Sequence, residues 1–251
     1  MQVGQCRLCL NTRPLCKRSH IIPDFMYKGL YDSTHTLFKV PTNDLNKDQK
    51  LQTGEFESNI LCQNCESLLS KYEGYAKDIF YGGGNIKYKD LKFENQKNQQ
   101  GVSYTYCQGI DYNKFKLFLL SILWKSSVSS KEFFEQIKLG PHEDIIRKMI
   151  INGDPGDFDD YPCVLSTYLN HKKKIPPELI GQPARIKDNL GTRYSFLIGG
   201  VSYFYFISRA TILRWVFEVA VNKRGEMKLI HMNDEQAKKI VNKFIGNEIY
   251  K

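Results

Sequence analysis

Between residues 66 and 80 apolar side chains recur at three- and four-residue steps: Leu68, Leu69, Tyr72, Tyr75, Ala76 and Ile79. That period predicts a helix over Glu66–Phe80, stopped by Gly82-Gly83-Gly84. Residues 85–101 are polar and read as a hairpin loop or a linker. A second helix follows over 112–126. Phe115, Leu117–Leu120 and Ile122–Trp124 make it apolar nearly all round, which predicts burial. Short helices are predicted over Lys131–Ile137 and Glu143–Ile151, the latter introduced by Gly140-Pro141. The period then shortens to two. Tyr194–Ile198 and Val201–Ile207 flank Gly199-Gly200 as a hairpin. Trp215, Phe217, Val219 and Val221 alternate with Val216, Glu218 and Ala220, which predicts a strand. The turn Asn222–Gly225 and a partner strand Glu226–Met232 complete a meander. Asn233, with Gln236 three residues on, caps a last helix. The run Tyr203-Phe204-Tyr205-Phe206 could stack on bases, but strand residues alternate between faces and at least one face packs a core.

These elements predict an α+β protein. A module over 1–84 precedes a hairpin or linker over 85–110. A mixed helical and antiparallel-sheet region over 111–251 follows. The 251 residues suffice for one large domain or two modest ones. With 41% apolar and 25% charged residues the composition excludes disorder, collagen and coiled coil. The longest apolar runs, Leu117–Trp124 and Phe196–Ile207, fall short of the roughly 20 residues a membrane helix needs. No basic segment followed by an apolar run opens the chain, so a cytoplasmic location is expected. The seven cysteines are then expected as thiols or metal ligands, not disulfides. A net charge of +9 suits an acidic partner such as nucleic acid. Residues 1–100 carry 14 basic and 11 acidic side chains and residues 101–251 carry 22 and 16, so neither half is a polycation. Affinity for DNA must come from local placement.

The most specific chemistry lies in two cysteine pairs, Cys6-x2-Cys9 and Cys62-x2-Cys65. Each places two thiolates on one tight turn, and together they supply the four tetrahedral ligands of a structural Zn2+. The alternative, four reduced thiols in a core, leaves the matched spacing a coincidence. Cys16, Cys107 and Cys163 lack such spacing and read as small buried apolar residues, although Cys16 could compete as a ligand. Asp154, Asp157, Asp159 and Asp160 lack the alternate spacing of a calcium loop and read as a turn. His35 is a loop residue with some scope for metal or phosphate contact. His142, His171 and His231 read as structural or surface residues, and Lys172–Lys174 as a solvated loop.

Between the cysteine pairs stands Ser19-His20-Ile21-Ile22-Pro23, and Asn59-Ile60-Leu61 leads into the second pair. In that order roughly the first 80 residues resemble the HNH endonuclease superfamily, in its zinc-stapled, treble-clef-like form. The resemblance implies a ββα-metal fold, with one histidine as general base on water and a divalent cation, Mg2+ or Mn2+, beside it. It gives His20 the role of base. Asn59 falls to the supporting asparagine and Ser19 and Glu66 to the surroundings of the cation, where Glu73, on the same helix face as Glu66, could join them. The family has Asp where this chain has Ser19, and Asn or His where it has Glu66. Its asparagine is expected at the register of Glu57, two residues from Asn59. A carboxylate suits a hard cation, and Glu66 and Glu73, seven residues apart, share a helix face. The chemistry is sound on its own terms: hydroxide attack on an anionic phosphodiester needs a base and charge neutralisation. Arg13, Lys17, Arg18 and Lys28 flank His20 as phosphate contacts or as a solvated face. What the resemblance implies is DNA hydrolysis, and by analogy an antiviral defence effector of prokaryotes. The alternative is a non-catalytic zinc module that binds nucleic acid or a protein partner. Residues 111–251 carry no motif and could serve a protein partner.

Overall fold

The computed structural model describes residues 2–27, 31, 37–40, 49–51, 54–80, 82, 87–168, 179–189, 191–207, 212–233 and 235–236. Lys28, His35, His171 and Lys172–Lys174 lie outside them. The fold is α+β. Strands β1 (Val3–Gln5) and β2 (Thr12–Pro14) form a small hairpin. Strand β3 (Ser19–His20) pairs antiparallel with β6 (Phe56–Glu57), and helix α1 (Gln63–Phe80) follows. Strands β4 (Leu37–Val40) and β5 (Gln49–Leu51) lie between β3 and β6 in sequence. They do not pair with them. They form one edge of a nine-stranded sheet with β7 (Lys92–Lys97), β8 (Ser103–Gln108), β9 (Cys163–Thr167), β10 (Leu179–Asp188), β11 (Gly191–Ile198), β12 (Val201–Phe206) and β13 (Met227–His231). The order is β5-β4-β10-β11-β12-β9-β13-β8-β7. Two neighbouring pairs are parallel, β4 with β10 and β9 with β13.

Helix α2 (Tyr112–Val128) is the centre of the core. Asp111 caps it by accepting the Lys114 N–H, and the residues from Phe115 to Ser127 are all buried. A helix apolar on every side must be covered on every side. Here the sheet supplies Tyr203 and Tyr205, whose hydroxyl donates to the Leu119 carbonyl at 3.0 Å. Helix α1 supplies Phe80, 6.1 and 6.2 Å from Phe115 and Phe118. The Tyr75 hydroxyl of α1 accepts the Asp111 N–H. Lys116 points into this interior and donates to the Tyr112 hydroxyl and the Asp157 carbonyl; burial lowers its pKa to about 8. One buried cluster runs from Cys6 through α1 and α2 to Met227. The N-terminal segments are packed onto the rest.

The predicted helix over Glu66–Phe80 is present as α1 and the buried helix as α2. Helix α3 (His142–Asn152) ends on Gly153 in the left-handed region, as a C-terminal glycine should. The glycine hairpin is β11–β12. Three expectations need correction. Residues 85–101 contain a strand, β7, paired along its length with β8 at the sheet edge. Lys131–Ile137 holds only a three-residue 3-10 turn, Glu132–Phe134, without a side-chain cap. Residues 215–221 are not a strand: Arg214–Val219 is helix α4. Nearly every residue there is apolar, so alternation was a weak guide. Within the helix, Val216 and Val219, three residues apart, are the pair that packs with Val164 and Phe206 of the sheet. The strand after Asn222–Gly225 therefore pairs with β8 and β9 instead. Asn233 and Gln236 exchange the reciprocal bonds of a capping box, at 3.0 and 2.8 Å.

Gly225 shows how tightly the turn before β13 seats on Ile110, just ahead of α2. It has φ +74°, and a Cβ there would lie 2.3 Å from the Ile110 carbonyl oxygen. We expect Gly225→Ala to lower unfolding stability by about 1–3 kcal/mol, read as a lower urea midpoint. An unchanged midpoint would mean that this seat contributes little.

Candidate metal centre

The first cysteine pair sits at the tip of the β1–β2 hairpin. Cys6 N–H donates to Asn11 O at 3.0 Å and Leu10 N–H to Cys6 O at 2.9 Å, with Leu10 at φ +62°. That closed turn brings the thiols of Cys6 and Cys9 to one side. The second pair opens α1, where Cys65 N–H and Glu66 N–H both donate to Cys62 O at 3.0 Å. Bonds from Arg7 N–H to Ile60 O and from Cys16 N–H to Leu61 O lace the two segments together. Cys62 N–H reaches Cys6 Sγ at 3.4 Å, the kind of backbone donation that stabilises a thiolate. Asn59, just before, adopts φ +61° and donates its N–H to Cys16 O. Asn tolerates that left-handed turn, so the structure gives Asn59 a role in bending the chain.

The four sulfurs of Cys6, Cys9, Cys62 and Cys65 lie within 4.8 Å of one another, and Cys9 and Cys62 are 3.9 Å apart. A tetrahedral zinc with bonds of about 2.3 Å sets its sulfurs about 3.8 Å apart. The donor set fits such an ion. Hydrogen bonding from Cys65 pulls the Cys6 thiol down to about 4, and the same contact pushes Cys65 up. Cys16 stands outside the group, with its thiol 3.7 Å from Gln63 Oε1, and is only half-buried. Cys107 and Cys163 are buried in the core, as expected.

His20 lies on β3, with its side chain 30% exposed. Its Nε2 is 3.8 Å from Asp24 Oδ1, on the 3-10 turn Asp24–Tyr27. Burial holds the imidazole below its ordinary pKa; Asp24 works against that shift and Lys125 with it. Ser19 is fully buried and donates its hydroxyl to Glu66 Oε1. Burial raises the Glu66 carboxyl above its ordinary value. Glu73 does not join them as a free carboxylate: Oε1 receives Lys125 Nζ at 2.8 Å, and the same ammonium donates to His20 O at 2.8 Å. Glu57, at the register of the expected asparagine, accepts Ser129 Oγ at 2.6 Å and both the N–H and hydroxyl of Ser130. Among the described residues, the sets of three or more metal-ligating groups within 4.8 Å are the four cysteines and Asp157, Asp159 and Asp160. His20, Glu66 and Glu73 are not such a set. The aspartates sit in a turn, as the sequence suggests, with Asp157 paired to Lys223.

Arg13 and Lys17 are exposed, and the exposed Arg18 lays its guanidinium 4.9 Å over the Phe56 ring on β6. Tyr203, Tyr205 and Phe206 are core residues. His142 is held by the Tyr161 hydroxyl at 3.0 Å. Sequence reasoning passed over Asp24 and Lys125. The first was legible as the acid four residues past His20. The second gave no signal, because a lysine on a buried helix declares itself only when its partners are known.

The metal centre generates a direct expectation. Purified protein should carry one zinc per chain by elemental analysis. Cys62→Ser should lose most of it and melt earlier, while Cys16→Ser keeps it. Full zinc in Cys62→Ser would rule the four-sulfur centre out.

No protein-family model, curated protein or solved structure matches this chain. The functional reading therefore stands on the chemistry of the site.

Proposed function

We propose that the protein is a metal-dependent, HNH-like endonuclease that hydrolyses DNA. One observation carries the reading: a partly exposed imidazole on a short antiparallel strand pair, set beside a helix whose first turn belongs to a four-cysteine centre. The antiparallel pair β3–β6, followed in the chain by α1, supports the reading, because a ββα-metal site is built from two paired strands and a helix.

Attack on a phosphodiester demands that water lose a proton as it adds to phosphorus. A ring nitrogen at the solvent edge of His20 can take it. Asp24, 3.8 Å away, orients the ring and favours its protonated form after transfer. Arg13, Lys17 and Arg18 would contact flanking phosphates without reading sequence. A bound Mg2+ or Mn2+ would supply neutralisation of the charge that grows on the phosphoryl and leaving oxygens. Such ions accept one or two carboxylates and complete their shell with water and phosphate oxygen. Glu66 would hold it, with Ser19 fixing the Glu66 carboxylate. Glu73 is committed to Lys125 and takes no part.

The test is cleavage of plasmid DNA with Mg2+ or Mn2+. We expect His20→Ala to lose at least about 10²-fold in rate while retaining zinc and thermal midpoint. A wild-type protein inert with either metal, yet retaining DNA in a mobility-shift assay, would favour a non-catalytic zinc module.

A further inference from the structure

Helix α2 and the residues just after it belong to the region in which the sequence carries no motif, yet they hold the strand pair that carries His20 at three points. Lys125 Nζ, 3% exposed, donates to the His20 carbonyl and to Glu73 of α1, both at 2.8 Å. Just past the end of α2, Ser129 and Ser130 bind Glu57 on β6, the strand paired with β3. Phe25, in the turn that carries Asp24, stacks 5.9 Å from Phe118 of α2. The β3–β6 pair itself has a two-residue ladder, continued on one side by Ile21 N–H to Glu55 O at 3.1 Å and on the other by Asn59 N–H to Cys16 O at 2.9 Å. A pair of only two strands is marginal in water without further support.

We infer that Lys125 is a positioning residue, an ammonium that ties the backbone of His20 to helix α1 and so sets the imidazole against the rest of the site. The inference deepens the nuclease reading and gives the buried helix a part in it. The chemistry favours lysine in this place. Its compact ammonium has three donors and can serve a carbonyl and a carboxylate at once. A displacement of about 1 Å at a reacting group is enough to cost about 10²-fold in rate. The same burial means that removing the ammonium alone leaves Glu73 with an uncompensated charge, so loss of activity in a single variant would not separate positioning from folding.

The experiment uses the full chain in three forms: wild type, Lys125→Met and Lys125→Met/Glu73→Gln. The double variant removes the stranded charge and should recover the thermal midpoint lost in the single one. Amide hydrogen exchange at Ile21 reports the strand pair directly. We expect Ile21 to exchange about tenfold faster or more in both variants, with kcat for cleavage down about 10²-fold and KM little changed. A double variant that recovers stability, Ile21 protection and kcat together would overturn the inference, because Lys125 would then serve only to neutralise Glu73. If the wild type does not cleave DNA, the nuclease reading falls, and Ile21 exchange alone decides whether Lys125 holds the strand pair.

Discussion

The N-terminal part of this protein depends on bringing four sulfurs from two distant segments to one point. Its strands are short: three residues in β1 and β2, two in β3 and β6. Ladders of that length do not hold a fold in water. Bringing Cys6 and Cys9 together with Cys62 and Cys65 closes a loop of more than fifty residues at a cost in chain entropy, which metal binding there would offset. An ion in that cage adds binding free energy to folding free energy. Everything near His20 inherits its position from that closure, because β3 follows the first cysteine pair and α1 begins with the second.

Closure explains only half of the placement. The other half comes from α2, a helix whose apolar surroundings tolerate charge only where it is matched. Lys116 and Lys125 both enter that interior, and each finds oxygen partners there. Lys116 joins the helix to the 157–160 turn, and Lys125 joins it to the β3–β6 pair. Arg147 of α3 extends the pattern outward by donating to Leu8 O inside the first cysteine turn, at 2.9 Å. The region without recognisable chemistry thus holds the cysteine module at several separate points.

How much of this could be read from the chain follows from which forces act locally. The two cysteine turns, α1, α2 and the glycine hairpin are written in spacing and period, and they are where the reading placed them. Helix α4 was read as a strand because Trp215, Val216, Phe217 and Val219 are apolar whatever the backbone does, so only tertiary packing picks the buried ones. Strand β10 escaped because Pro183 interrupts it at an irregularity between Gly181 and Ala184, where the ladder tolerates a missing donor. At the site, His20 was legible from Ser-His-Ile-Ile-Pro between the cysteine pairs. Glu73 was misjudged as an open ligand, since nothing local announces that a lysine 52 residues later claims it.

The pairing of β4 with β10 carries a temporal consequence. Residues 37–40 form a parallel ladder with residues 179–181, and their other neighbour is β5 alone. On a ribosome adding about 5–20 residues per second, the β4–β5 ribbon emerges roughly 7–30 s before its partner exists. During that interval one flank of the nascent sheet stays open. The early cysteine turns and α1 begin more than a hundred residues before that partner, so this chain carries an open sheet edge through much of its own synthesis.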